Sequence, residues 1–159
     1  MKSILALLLF AVSALAADVS LTMEGVAQGT FYTADVGGKF GVPVSKFSYG
    51  MSVPRDAATG LVSGKRLYKA VTITRPISQM SVQLLTAASR NERIKRVVLS
   101  TSALVKGLPT IVETVTLTDA LIISYDRNAD NGAADETISL VYNTIQVDSA
   151  TRGFIDSTV

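Results

Sequence analysis

From Val19 to Val147 the chain alternates apolar and polar residues with a period of two in one segment after another, and a single stretch, residues 76–90, breaks that rhythm. Period two sends successive side chains to opposite faces of a strand, so a chain written this way buries one face of a sheet and wets the other. Val19-Ser20-Leu21-Thr22-Met23 opens the pattern and predicts a strand over residues 19–24, followed by the turn residues Gly25 to Gly29. Phe47, Tyr49, Met51 and Val53 predict a strand over 44–52 with one face on a core. In residues 67–75, Val71 and Ile73 oppose Thr72 and Thr74. Further strands are predicted over 94–101, 110–125 and 137–147, the last with a register change at Asn143. In the exceptional stretch, Ile77, Met80, Leu84, Ala87 and Ala88 recur at three- and four-residue steps, as one face of a helix requires. Ser78 or Ser81 can cap its first turn, and Arg90 stands where the carboxyl end of a helix favours a cation.

This pattern predicts a mainly β fold, a small antiparallel β-barrel or two-sheet sandwich with one α-helix. With 159 residues, 48% hydrophobic and 18% charged, the chain suits one folded domain rather than two, and it is too apolar for disorder. No internal repeat of the kind that builds solenoids or propellers is visible.

The sequence holds no His, Cys or Trp. Triads with an imidazole, thiolate nucleophiles, disulfides, Cys-rich zinc sites and iron–sulfur clusters are all excluded. A formal charge of +2 leaves no footprint for nucleic acid.

Residues 1–16 read as a secretory signal peptide. Met1-Lys2-Ser3 is a short positive start, Ile4 to Val12 is an almost unbroken apolar run too short to span a bilayer, and Ala14-x-Ala16 supplies the small residues a signal peptidase accepts. The mature chain would be one domain over residues 17–159, secreted to the exterior or held in the periplasm, with 149–159 as a flexible tail and no membrane span once the leader is cut. Without Cys, an exported chain must gain stability by packing or by burying surface against copies of itself. Residues 54–64, rich in Pro, Gly, Ala and Asp, read as a long loop or an extended hairpin arm able to dock on another subunit.

Three segments carry side chains that could do chemistry. Asp126, Asn128 and Asp130 alternate as in a calcium loop, but Asn131 stands where an EF-hand needs Gly and Thr137 where it needs Glu, so a plain hairpin loop over Asp126–Glu136 is the stronger reading. Arg90, Arg93, Lys95 and Arg96 form the densest basic cluster; a strand splits it, with Arg93 and Lys95 on one face and Arg96 on the other, which favours a solvated or ion-pairing role. Asp135-Glu136 could serve a glycosidase only with a second acid across a cleft. Thr114, Thr116 and Thr118 suit a wet sheet face. No catalytic, cofactor or metal residues are therefore assigned; the alternative to a structural role is a monomeric exported ligand- or calcium-binding β-barrel module.

Val71-Thr72-Ile73-Thr74-Arg75, the helix from Ser78 to Ala88, and Arg93-Ile94-Lys95-Arg96-Val97-Val98-Leu99 together resemble the centre of the Hcp (hemolysin-coregulated protein) family of type VI secretion. Val115 to Ile122, the Asn/Asp/Gly loop, Glu136 to Leu140, Glu24-Gly25 and Phe47-Ser48-Tyr49-Gly50 extend the resemblance over residues 19–148. It implies a β-barrel with one helix that forms homo-hexameric rings, stacked into a hollow tube with sheets lining a lumen that can hold cargo, the helix outward and the loop arm against neighbours. Two features differ from the family pattern: members usually lack a cleavable leader, and Ser78-Gln79 replaces an Asp-Lys at the helix start.

Overall fold

The structure, a computed structural model, describes residues 18–35, 40–130, 133–150 and 152–158; the expected leader lies outside them. In chain order the elements are β1 (Asp18–Gly25), β2 (Gly29–Thr30), β3 (Ala34–Asp35), β4 (Phe40–Val44), β5 (Lys46–Ser52), β6 (Leu67–Pro76), α1 (Met80–Ser89), β7 (Arg93–Val105), β8 (Leu108–Asp130), β9 (Ala133–Val141), β10 (Thr144–Ser149) and β11 (Gly153–Ser157). All the strand pairings among the described residues are antiparallel, and the ladder runs β3-β4-β1-β7-β8-β9-β6-β5, with β10 and β11 branching from β8.

The long strand β8 organises the fold. Its first half pairs with β10 from Glu113 to Thr118, and its second half pairs with β9 from Leu121 to Asp130. At the join Asp119 takes a φ of 52°, and inward-facing residues shift from Val115 and Leu117 to Ala120 and Ile122. That shift bends one strand into both layers of a sandwich, as bulged corner strands do. In the first layer Leu21, Leu99, Val115 and Val147 lie in one cross-strand row, and Met23, Val97, Leu117 and Ile145 in the next. The second layer contributes Val71, Leu140 and Ile122. Each fully buried aliphatic side chain here is worth about 1.5–3 kcal/mol relative to exposure.

The expected helix forms two residues later than the pattern suggested. Pro76 ends β6, and the Ser78 hydroxyl accepts the Met80 N–H at 3.2 Å. Met80, Leu84 and Ala87 bury as predicted, whereas Val82 and Leu85 face outward.

Several expectations need correction. The sheet does not close into a barrel: β3 and β5 are its ends. The strand expected over 44–52 forms as β5 but starts at Lys46: Val44 ends β4, which pairs with β1, and the Ser45 N–H between them bridges to the Thr74 carbonyl at 2.9 Å. The strands expected over 94–101 and 110–125 continue toward each other as one hairpin closed at Lys106-Gly107. Residues 137–147 divide at Tyr142-Asn143, where a register change was expected. Within the supposed flexible tail, β11 pairs with β10 from Gly153 to Ser157.

Candidate assembly surfaces

The two layers leave a gap between β5 and β6 on one side and β10 and β11 on the other. Tyr49, Met51, Tyr68, Tyr142, Ile145 and Phe154 line the resulting apolar groove, about 360 Å³ in volume. Tyr49 and Met51 belong to the face expected on a core, yet they are 41% and 51% exposed. Their alternation is real, but β5 is an end strand: Phe47 on the same face packs against the core, while Tyr49 and Met51 border the open groove. Burial raises the Tyr142 phenol above its ordinary pKa; burial and then the Glu113 carboxylate do the same to Tyr49. Across the gap the Tyr68 hydroxyl donates to Asp156, which also pairs with Arg66 at 2.5 Å, so β11 is latched to β6. The Tyr68 hydrogen bond, then the Ser157 N–H, holds the Asp156 carboxyl below its usual pKa.

Residues 54–64 form a hairpin arm. The Asp56 N–H donates to Leu61 at 2.9 Å and the Ser63 N–H to Pro54 at 3.0 Å, while the Asp56 carboxylate accepts N–H groups from Ala58 and Thr59 and holds the tip. Leu61 and Val62 on this arm stand exposed. A second projection is the β7–β8 hairpin. Its ladder continues through Ala103↔Thr110, Leu104↔Pro109 and Val105↔Leu108, whereas β10 ends opposite Glu113. The hairpin thus overhangs β10 and carries Leu104, Val105, Leu108 and Ile111 exposed.

The outer face of the first layer is different in kind. Ser20, Ser100, Thr114 and Asp148 stand in one row, Thr22, Val98, Thr116 and Gln146 in the next, and Glu24, Arg96, Thr118 and Thr144 in a third. The threonines expected on a wet face are there, in a hydroxyl-rich field bordered by Asp148, Glu24 and Arg96.

The basic cluster is partly neutralised. Lys95 pairs with Glu24 at 2.8 Å and Arg93 with Asp119 at 3.3 Å, both exposed. A register shift opposite Glu24 turns Lys95 and Arg96 outward together, so the expected split between faces is lost. Asp126–Asp130 and Ala133–Glu136 belong to paired strands, with Asp126 opposite Thr137 and Asn128 opposite Asp135. Alternate residues on a strand lie about 7 Å apart, an arrangement unlike the converging ligands of a calcium loop. The tip, Asn131-Gly132, lies outside the described residues.

Glu136 is no exposed acid. It is fully buried and paired with the equally buried Arg75, while the Tyr125 hydroxyl donates to its second oxygen at 2.8 Å and Arg75 donates to the Ser78 hydroxyl at 2.5 Å. Burial, then the Glu136 hydrogen bond, pushes the Tyr125 phenol up to about 12. Burial lowers the Arg75 pKa, with Glu136 opposing it. This network ties β6, β8, β9 and the start of α1 together. Its sequence signal is positional: Arg75 follows Ile73 by two residues and Glu136 precedes Ile138 by two, so both fall on core-facing rows.

Comparison with known proteins identifies relatives of the chain. Residues 21–148 match the family model described as "Type VI secretion system effector, Hcp". The "Major exported protein" of Pseudomonas aeruginosa PAO1 is 31% identical over 116 residues, 67% of this chain. The match spans 66% of that relative, just under two thirds of its length. Among solved structures, one titled as an Hcp protein superposes with a TM-score of 0.82 at 19% identity, covering 89% of this chain and 99% of that one. An Hcp1 variant from Escherichia coli EAEC 042 gives 0.81 at 17% identity with the same coverage. Hcp3 of Pseudomonas aeruginosa gives 0.74 at 20% identity, over 89% and 98% of the two chains.

Proposed function

The chain belongs to the Hcp family of type VI secretion proteins, and from that premise we propose that it is a non-enzymatic tube component whose copies close into hexameric rings, stacked into hollow tubes. The carrying observation is the apolar groove left between β5 and β11, in which Tyr49 and Met51 stand open to water on a face with the period of a core face. One chain presents both this recess and two projections, the arm and the β7–β8 hairpin. Surfaces of different shape on one subunit favour heterologous contacts, and such contacts close into rings when the rotation permits. The hydroxyl-rich face of the first layer suits the wall of a lumen, because it is wet and offers a passing cargo small polar groups rather than an apolar patch. Export is in keeping with the name of the Pseudomonas relative, and we assign it to a cleavable leader, residues 1–16, delivering residues 17–159 to the exterior.

The test is light scattering and negative-stain microscopy on residues 17–159. Annular particles of six subunits are expected, and a chain that stays monomeric at high concentration overturns the reading.

A further inference from the structure

The β7–β8 hairpin projects beyond the end of β10 and carries apolar side chains on both of its faces. Cross-strand partners share a face and alternate residues return to it, so Leu104, Pro109 and Ile111 stand on one side of the tip and Val105 and Leu108 on the other, all of them exposed. A hairpin that lies on a sheet needs one apolar face; one with two buries both only between two walls. The groove supplies two such walls, Tyr49, Met51 and Tyr68 on one side and Ile145, Val147 and Phe154 on the other.

The tip is out of reach of its own groove. Val115 pairs with Val147 in the groove wall, and at a rise of about 3.4 Å per residue Leu108 lies about 24 Å further along β8. A second copy has no such restriction. Charge points the same way. Lys106 stands at the turn of the hairpin, and Glu113, on the same face of β8 as Val115, acts on the Tyr49 phenol at the groove. Neither has an ion-pair partner among the described residues. Opposite charges at the end of an apolar contact fix its register and disfavour wrong partners. The arm, residues 54–64, is a poorer occupant: it connects β5 to β6, the strands of one groove wall, and its exposed large apolar side chains are Leu61 and Val62.

We propose that the β7–β8 tip of one copy inserts between the two walls of the groove of the next, with Lys106 set against the partner's Glu113. The proposal rests on the assembly reading above and names the two surfaces that meet. Because plug and recess lie at different places on one chain, each copy gives a tip to one neighbour and takes a tip from the other, the head-to-tail contact that closes into a ring.

The chain has no Cys, so thiols can be placed in pairs without competitors. In residues 17–159 carrying Leu108→Cys and Met51→Cys, a short bis-maleimide is expected to link copies into a ladder on denaturing gels, and to leave either single variant unlinked. Lys106→Glu and Glu113→Lys, each of which sets like charges together, are expected to raise the concentration needed for rings on the order of ten-fold, and the double variant to restore it. Rings whose copies stay unlinked, or a double variant no better than either single one, overturn the proposal and leave the assembly reading standing. A parent chain that stays monomeric overturns both.

Discussion

Arg75 and Glu136 meet across the β6·β9 ladder with no solvent exposure at either side chain, in core-facing rows otherwise filled by Val71, Ile73, Ile138 and Leu140. Such a pair loses hydration on both partners, so its worth to stability is small compared with the penalty of breaking it. Arg75→Met alone is expected to destabilise the fold by about 3–5 kcal/mol, because it leaves a buried carboxylate uncompensated. Arg75→Met combined with Glu136→Leu is expected to recover most of that loss, and Tyr125→Phe to cost about 1.5–3 kcal/mol through the lost hydrogen bond to a charged acceptor. Urea unfolding of the three variants beside the parent chain checks the series.

The groove separates folding from assembly. Met51 is 51% exposed and Tyr49 41% exposed, so neither gains much from the monomer. Met51→Lys is expected to leave monomer stability within about 0.5 kcal/mol of the parent chain. The same substitution would place an unpaired charge in an apolar contact and abolish ring formation. Thermal melting beside size-exclusion chromatography with light scattering reads both effects, and an unchanged ring peak would remove the groove from the interface.

These two cases also show what was legible in the sequence. Period two located the strands and core faces, and the three- and four-residue steps located α1, because both signals arise from local geometry. The inward face of β5 was legible as apolar, but the exposure of Tyr49 and Met51 beyond Phe47 was not, since that depends on where β10 and β11 stop. The Arg75–Glu136 pair was not legible: Glu136 was weighed beside Asp135 as a carboxylate pair, and its partner stands 61 residues away in sequence. The β7–β8 hairpin was missed at its tip, where Lys106-Gly107 lacks the Asn-Gly signal of a tight turn.

Acid should loosen the turn between β1 and β2. Glu92 is buried, which opposes its ionisation, yet its carboxylate accepts the Gln28 N–H at 2.8 Å, the Gln28 side-chain amide at 2.8 Å and the Ala27 N–H at 2.8 Å. The hydrogen bonds prevail, and the folded-state pKa lies below the ordinary value. A lowered carboxylate contributes stability that is fully present above its unfolded pKa of about 4.3 and is lost as pH falls through the folded value. Glu92→Gln is therefore expected to be less stable than the parent near neutrality and to show a shallower loss below about pH 4.3. Urea midpoints measured across that range check the sign; parallel curves would show that Glu92 ionisation does not contribute.

The two-residue turn at the end of β7 offers a local test. Lys106 and Gly107 have φ values of 52° and 80°, the left-handed pair that a tight hairpin of this twist requires. Gly107→Ala forces a second β-carbon into that region at about 1–2 kcal/mol, whereas Lys106→Asn places a residue that tolerates it. Because the pairs from Ala103 to Thr110 overhang β10, strain at the turn can be relieved by opening the tip without unzipping the sandwich. The melting temperature should then move little in either variant. Amide exchange between Ala103 and Thr110 should accelerate in Gly107→Ala and slow in Lys106→Asn, and ring formation should weaken and strengthen in the same order if the tip seats on a neighbouring copy.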